Sequence, residues 1–242
     1  MVSGGKPGGV APSTSLRGVN KVKLTCDGIT KAVRKYNNSE NSTYDDALRS
    51  ALGTIQSVPP SLGRFLTEVC LIADWGSIPL TNFPFHDRVA MAKEIETSWP
   101  VLQPMRSNHA ENWDAETNRM TDAVGRLSDT RLLPTPGAKR QLSFLSKYLY
   151  ACVNDAFPIW DKNARTALHN ENDETSWPSY RSWVICVRQE AATHKTCCLE
   201  QIRLPGECLL RTFDKALFIM GGEILSEKAG HRRSSRSGNS AQ

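Results

Sequence analysis

Apolar residues along this chain recur at spacings of three and four, are punctuated by Pro and Gly, and rarely alternate. That periodicity predicts helices. Ser42 or Thr43, followed three residues later by Asp45 or Asp46, reads as a helix start; Ala47, Leu48, Ala51, Leu52 and Ile55 continue it until Val58-Pro59-Pro60. Ser61 opens a second helix, whose stripe of Leu62, Phe65, Leu66, Val69, Cys70 and Ile72 runs to Gly76. Further helices are predicted over about Asp87–Thr97, Asp114–Leu132, Gln141–Val153, Asn163–Asn170, Pro178–Ala192 and Leu204–Met220. Pro178 falls early in its helix, where a missing N–H is harmless. Only Lys21 to Leu24 could make a short strand. The predicted fold class is therefore all-α: one helical domain over 19–228, flanked by Gly/Ser/Pro-rich segments 1–18 and 229–242 that are predicted to be disordered.

Composition changes this picture little. The chain has 242 residues, 39% hydrophobic and 23% charged, as in an ordinary globular domain. No apolar run reaches the roughly 18 residues that a bilayer requires. Met1 to Thr14 lacks an apolar stretch, so no secretory signal is predicted and a cytoplasmic setting, with no membrane partner, is expected. Charge is more informative. Residues 1–40 hold seven Lys or Arg against two Asp or Glu, residues 228–242 hold four basic and no acidic residues, and the intervening body is net negative. Basic ends can hold polyanions through salt-sensitive contacts, and they also serve solubility.

Several chemistries lack their motifs. There is no phosphate-binding Gly-x-x-x-x-Gly-Lys loop, no Gly-x-Gly-x-x-Gly, no His-Glu-x-x-His and no Gly-x-Ser-x-Gly. The seven cysteines are odd in number and irregularly spaced, which predicts reduced thiols rather than a disulfide framework. His194, Cys197, Cys198 and Cys208 are four potential zinc ligands. Adjacent cysteines diverge and no Cys-x-x-Cys pair occurs, so structural thiols and no metal site are expected.

One stretch stands out. Ser143-Phe144-Leu145-Ser146-Lys147-Tyr148-Leu149-Tyr150 reads as an amphipathic helix, followed by an apolar Phe157-Pro158-Ile159-Trp160 plug and then Asp161 at a helix start. Asp161 suits an N-cap, where a carboxylate accepts backbone N–H bonds. Residues 131–165 carry six Lys or Arg against two Asp, a basic island in the acidic body.

This stretch resembles the helix-hairpin-helix DNA glycosylase superfamily, particularly its 8-oxoguanine glycosylase branch. There, a helix with serines and aromatics precedes an apolar loop and an Asp that opens the next helix. The resemblance puts Asp161 on the family's aspartate, which assists departure of the damaged base. Leu133-Pro134-Thr135-Pro136-Gly137 lies where the family's hairpin contacts a DNA phosphate. The family's catalytic lysine falls on Ser143, with Lys147 one helical turn further on. Iron–sulfur cysteine spacing is absent, and no cofactor is expected. A looser likeness, which adds Arg211, Asp214, Leu217, Phe218 and Gly221, is to uncharacterised bacterial proteins of that predicted fold. Arg211 and Asp214, three apart on one helix, are expected to pair with each other.

The resemblance implies a DNA-binding protein of glycosylase-like fold, acting on duplex DNA in repair and, if enzymatic, hydrolysing an N-glycosidic bond as a monofunctional enzyme. Asp161 would be the essential carboxylate and Lys147 an assisting cation or shifted nucleophile. Lys139, Arg140, Lys162 and Arg165 would contact phosphates, and Trp160 would either line the base pocket or pack beneath the Asp161-bearing helix. The alternative is a non-enzymatic helical module for nucleic acid or protein, in which Asp161 is only a helix cap.

Overall fold

The structure, a computed structural model, describes residues 24–78, 80–106, 116–133, 141–168 and 176–237, with backbone alone at 116–119, 141 and 230–237. Among the described residues the chain is all-α, and no strand occurs. The expected N-terminal segment and most of the candidate strand at 21–24 lie outside the described residues.

Helix α1 (Cys26–Asn37), which the periodicity did not predict, starts where Thr25 Oγ1 accepts the Gly28 N–H at 3.1 Å. Its buried face, Ile29, Ala32, Val33 and Tyr36, is short and set among charged residues. Helix α2 (Glu40–Gln56) begins earlier than expected. Asp45, read from the sequence as part of a helix start, is an interior residue 6% exposed, on the same face as Leu48 and Leu52. Helix α3 (Leu62–Trp75) opens at Ser61 as predicted, with Ser61 Oγ accepting from the Arg64 N–H at 3.4 Å.

Helix α4 (Phe85–Arg106) runs past the predicted end at Thr97 and through Pro100 and Pro104. Each proline removes one intrahelical donor. Burial of Trp99, Leu102 and Met105, which prolong the stripe of Met91, Ala92 and Ile95, offsets that loss at ~1.5–3 kcal/mol per large side chain. Helix α5 (Glu116–Leu127) packs on α8 (Trp177–His194), and α6 (Gln141–Tyr148) packs on α3.

Two helices end in a wider, π-type turn. One follows α6 over Leu149–Val153, where the Asn154 N–H reaches back to Leu149 O at 2.8 Å. The other follows α8 over Lys195–Leu199. Such turns insert one residue into a helix and are frequent at functional sites. After the short α7 (Lys162–Ala167) and α9 (Glu200–Ile202), the long α10 (Leu209–Ser237) forms the axis against which α1, α7 and α8 pack. It continues through Ser237, past residue 228, where the helical domain was expected to end. Trp183, Tyr148, Tyr180, Phe65, Phe144 and Phe213 are among the largest fully buried side chains of a single continuous core.

The cysteines depart from expectation. Cys26 at the start of α1 and Cys197 after α8 form a disulfide across 171 residues, while Cys70, Cys152, Cys186, Cys198 and Cys208 are thiols. Sequence spacing carries no signal of this pairing, because only the packing of α1 against the turn at Lys195–Leu199 brings the partners together. No described helix is long and apolar enough to cross a membrane.

Candidate active site

The apolar plug is fixed before it delivers Asp161. Ser146, fully buried on α6, donates its hydroxyl to Ser143 O at 3.0 Å and accepts the backbone N–H of Trp160 at 2.8 Å. Tyr180 of α8 donates to Pro158 O at 2.9 Å. With Phe157, Ile159 and Trp160 buried as well, the chain has one way to enter α7. Asp161 then caps that helix, its Oδ1 accepting the Asn163 N–H at 2.7 Å.

Helix α7 is in turn seated on α10 at Gly221. A Cβ there would stand 1.7 Å from the backbone oxygen of Asn163. Only glycine permits the two backbones to approach so closely. The glycine of the distal Arg–Asp–Leu–Phe–Gly pattern therefore sets the position of Asp161.

Asp161 faces a cavity of about 320 Å³ whose wall also holds Lys147, Asp214, Arg211 and Asp45. The volume is within the ~300–1,000 Å³ of small-molecule sites. Tyr36, Tyr44, Trp75 and Phe218 give the wall its aromatic surface, and Tyr44 is 60% exposed. Lys147 projects from α6 back along its own helix, so that Nζ donates to Ser143 Oγ at 3.2 Å. Gly76 makes room for it: a Cβ there would meet the Lys147 stem at 3.1 Å.

Arg211 is held rigidly beside these groups. Its guanidinium pairs with Asp214 at 2.8 Å and with Asp45, and donates to Tyr36 Oη at 2.8 Å. It lies over the rings of Tyr150 at 4.6 Å and Tyr36 at 5.3 Å. Asp45 is saturated further by Tyr36 Oη at 2.8 Å and Trp75 Nε1 at 3.0 Å. The Arg211–Asp214 pairing expected from their spacing is present, but it is one edge of a network that joins α1, α2, α3 and α10.

Protonation in the cavity is poised. Burial lowers the Lys147 pKa from its ordinary value, against the opposing pull of Asp161 and Asp214. Burial pushes the Asp214 carboxyl up to about 6, with Arg211 opposing and Asp161 adding to the rise. An amine made easier to deprotonate thus shares a cavity with a carboxyl made easier to protonate. That combination is characteristic of acid–base sites. A second cavity of about 370 Å³ shares Asp45 and is lined by Arg49, Gln56, Arg106 and Tyr150, with no lysine in its wall.

Of the residues singled out from the sequence, Lys147 and Asp161 stand in one wall. Trp160 does not line the cavity. Its ring is 3% exposed, edge-on to Trp183 at 5.9 Å and beneath the Arg165 guanidinium at 4.8 Å. The plug that orients Asp161 needs this apolar anchor inside. Lys162 is exposed on α7, and Arg165 is half-buried and engaged with Trp160. Lys139 and Arg140 lie outside the described residues, as does residues 134–137 of the candidate hairpin. Sequence reasoning missed Tyr36, Tyr44, Asp45 and Trp75. Asp45 carried a signal, since it occupies an apolar register position three residues before Leu48. Comparison with family models, with curated proteins and with solved structures finds no match to this chain.

Proposed function

We propose that this cavity is a base-excision site, in which a nucleotide extruded from duplex DNA has its N-glycosidic bond broken. The observation that carries the proposal is the convergence of Lys147, Asp161 and Asp214 in one aromatic-walled cavity. Flat π-surfaces suit an unstacked base, and the exposed Tyr44 is placed to meet one at the rim. The cavity wall holds three carboxylates against two cations, which favours a sugar that gains positive charge as the base departs.

In the reaction, Asp161 accepts a proton from the Lys147 ammonium, and the neutral amine attacks C1′ of the sugar. The C1′–N bond breaks and its electron pair leaves with the base, which takes the proton held by Asp161. One of the two Nζ protons then passes through Asp161 to O4′ as the C1′–O4′ bond breaks, leaving a protonated imine that water can hydrolyse. The lowered Lys147 pKa supports an amine nucleophile over direct hydrolysis by water. Although Lys147 lies one helical turn beyond Ser143, its amine reaches back to the Ser143 hydroxyl, and this offsets the displacement. Lys162 would contribute a phosphate contact. An enzyme of this kind belongs with DNA in a repair role, in the cytoplasm of a bacterial cell in keeping with the likeness.

The binding-module reading rests on the Asp161 cap bond, which needs no chemistry. The cap uses Oδ1 and does not use Oδ2. Fluorescence anisotropy on an intact duplex and one carrying an abasic-site analogue, at roughly 50 and 200 mM salt, separates the readings. Base excision predicts an abasic preference that survives the higher salt. Equal, salt-labile binding to both duplexes would leave only the charged ends as the DNA contact.

A further inference from the structure

We infer that the reduced chain holds one zinc ion through Cys26, His194 Nδ1, Cys197 and Cys198, at the junction of α1 with the turn after α8. These four ligand atoms lie within 4.8 Å of one another. Cys26 Sγ and Cys197 Sγ are each 3.8 Å from His194 Nδ1, and Cys197 Sγ is 3.8 Å from Cys198 Sγ. With Zn–S near 2.3 Å and Zn–N near 2.0–2.1 Å, the edges of a tetrahedral site are about 3.5–3.8 Å. Three of the separations already match such edges, and the bonded Cys26 and Cys197 sulfurs must part to such an edge once their disulfide is opened.

The objection that adjacent cysteines diverge is met by the backbone. Both belong to the π-type turn over Lys195–Leu199, where Cys197 Sγ and Cys198 Sγ lie 3.5 and 3.6 Å from the same carbonyl, His194 O. The wider turn brings both sulfurs to one side. The fourth ligand comes from the other end of the sequence: Cys26 takes the place that spacing would give to Cys208. His194 is held for the task by its ring, stacked against Phe213 at 6.3 Å, and it is buried with Cys198. Four protein ligands leave no open position, which marks a structural site rather than a catalytic one.

The disulfide is the alternative state of two of the same ligands. A dithiol reductant opens it: two electrons and two protons pass from the reductant, which becomes a disulfide, and Cys26 and Cys197 become thiols. Zinc then displaces three thiol protons, from Cys26, Cys197 and Cys198, and takes the Nδ1 lone pair of neutral His194. Either state ties α1 to the end of α8, and α1 carries Tyr36 into the wall of the active-site cavity. The inference stands independently of the chemistry in that cavity.

The test uses the full chain, reduced with a phosphine and freed of metal, then titrated with cobalt(II) and afterwards with zinc. One cobalt per chain should bind, with intense thiolate-to-cobalt charge transfer and the strong visible bands of a tetrahedral ion, and zinc should abolish both. Cys198→Ser and His194→Asn leave the disulfide partners intact. Each should weaken zinc binding by more than the ~10–100-fold that loss of an outer-shell partner costs, while Cys208→Ser should not. Failure of the reduced wild-type chain to give a tetrahedral cobalt spectrum would overturn the site. So would an affinity unchanged in both Cys198→Ser and His194→Asn, or reduced equally by Cys208→Ser.

Discussion

Two buried arginines in this protein make similar bonds and serve different ends. Arg64 pairs with Glu68 at 3.0 Å one turn along α3, donates to Val58 O at 2.9 Å and lies over the rings of Phe65 and Trp99. Tyr148 closes that cluster by donating to Glu68 at 2.6 Å. Arg211 likewise has carboxylate partners, a tyrosine hydroxyl and flanking rings. The first cluster is sealed, with Arg64 and Glu68 side chains 3% and 0% exposed and neither lining a described cavity. The second forms one wall of a cavity that also holds Lys147 and Asp161. A buried ion pair therefore does not mark a site by itself. The distinguishing features are an adjoining cavity and extra ionisable groups whose pKa values are displaced toward one another.

The largest expected effect breaks the sealed cluster. Glu68→Ala leaves Arg64 buried without its carboxylate and should cost about 3–5 kcal/mol in urea unfolding. Asp214→Asn should behave in the opposite way near neutral pH, because Asp45 still pairs with Arg211. The wild-type Asp214 carboxyl, raised to about 6 by burial, makes a contribution to stability that is complete below its ordinary pKa near 4. That contribution is lost as pH rises through 6. Unfolding measured from pH 4 to 7 should show wild type losing on the order of 2–3 kcal/mol relative to Asp214→Asn. A flat difference would mean that Asp214 stays ionised throughout, as a sealed ion pair would.

Gly221→Ala sharpens the contrast from the outside. Its Cβ collides with backbone, so α7 must shift, at a cost near or above the ~1–3 kcal/mol of overpacking. The abasic preference should fall with it, since Asp161 moves. The smallest change in stability belongs to Asp161→Asn, within about 0.5 kcal/mol, because asparagine caps as well as aspartate. The same substitution should abolish base excision. A large fall in Tm would make Asp161 a structural carboxylate, and the cavity would lose its distinction from the Arg64 cluster.

The helix class and the start of α3 were legible because Ser61 and its apolar stripe give one consistent signal. The end of α4 was not, since Pro100 is a strong local break and only tertiary burial of Trp99, Leu102 and Met105 overrides it. Asp161 and its plug were legible as a local pattern of apolar residues before a cap. The rest of the site was not, because Tyr36, Asp45, Trp75 and Arg211 meet through packing of helices far apart in sequence. Trp160, expected either in the pocket or packed beneath the Asp161-bearing helix, takes the packed position. Adjacency to a site residue does not fix which way a side chain faces, and here successive residues alternate between cavity and core. The Cys26–Cys197 juxtaposition is likewise a product of the fold.

The central claim is that Lys147 is a nucleophilic amine in a base-excision cavity. Incubating the full chain with a duplex that carries a natural abasic site, in the presence of borohydride, tests it without knowledge of the target base. The expected result is a covalent protein–DNA adduct whose peptide map places the reduced imine on Lys147, and which is absent from Lys147→Ala. No adduct, or one that persists undiminished in Lys147→Ala, would contradict the assignment.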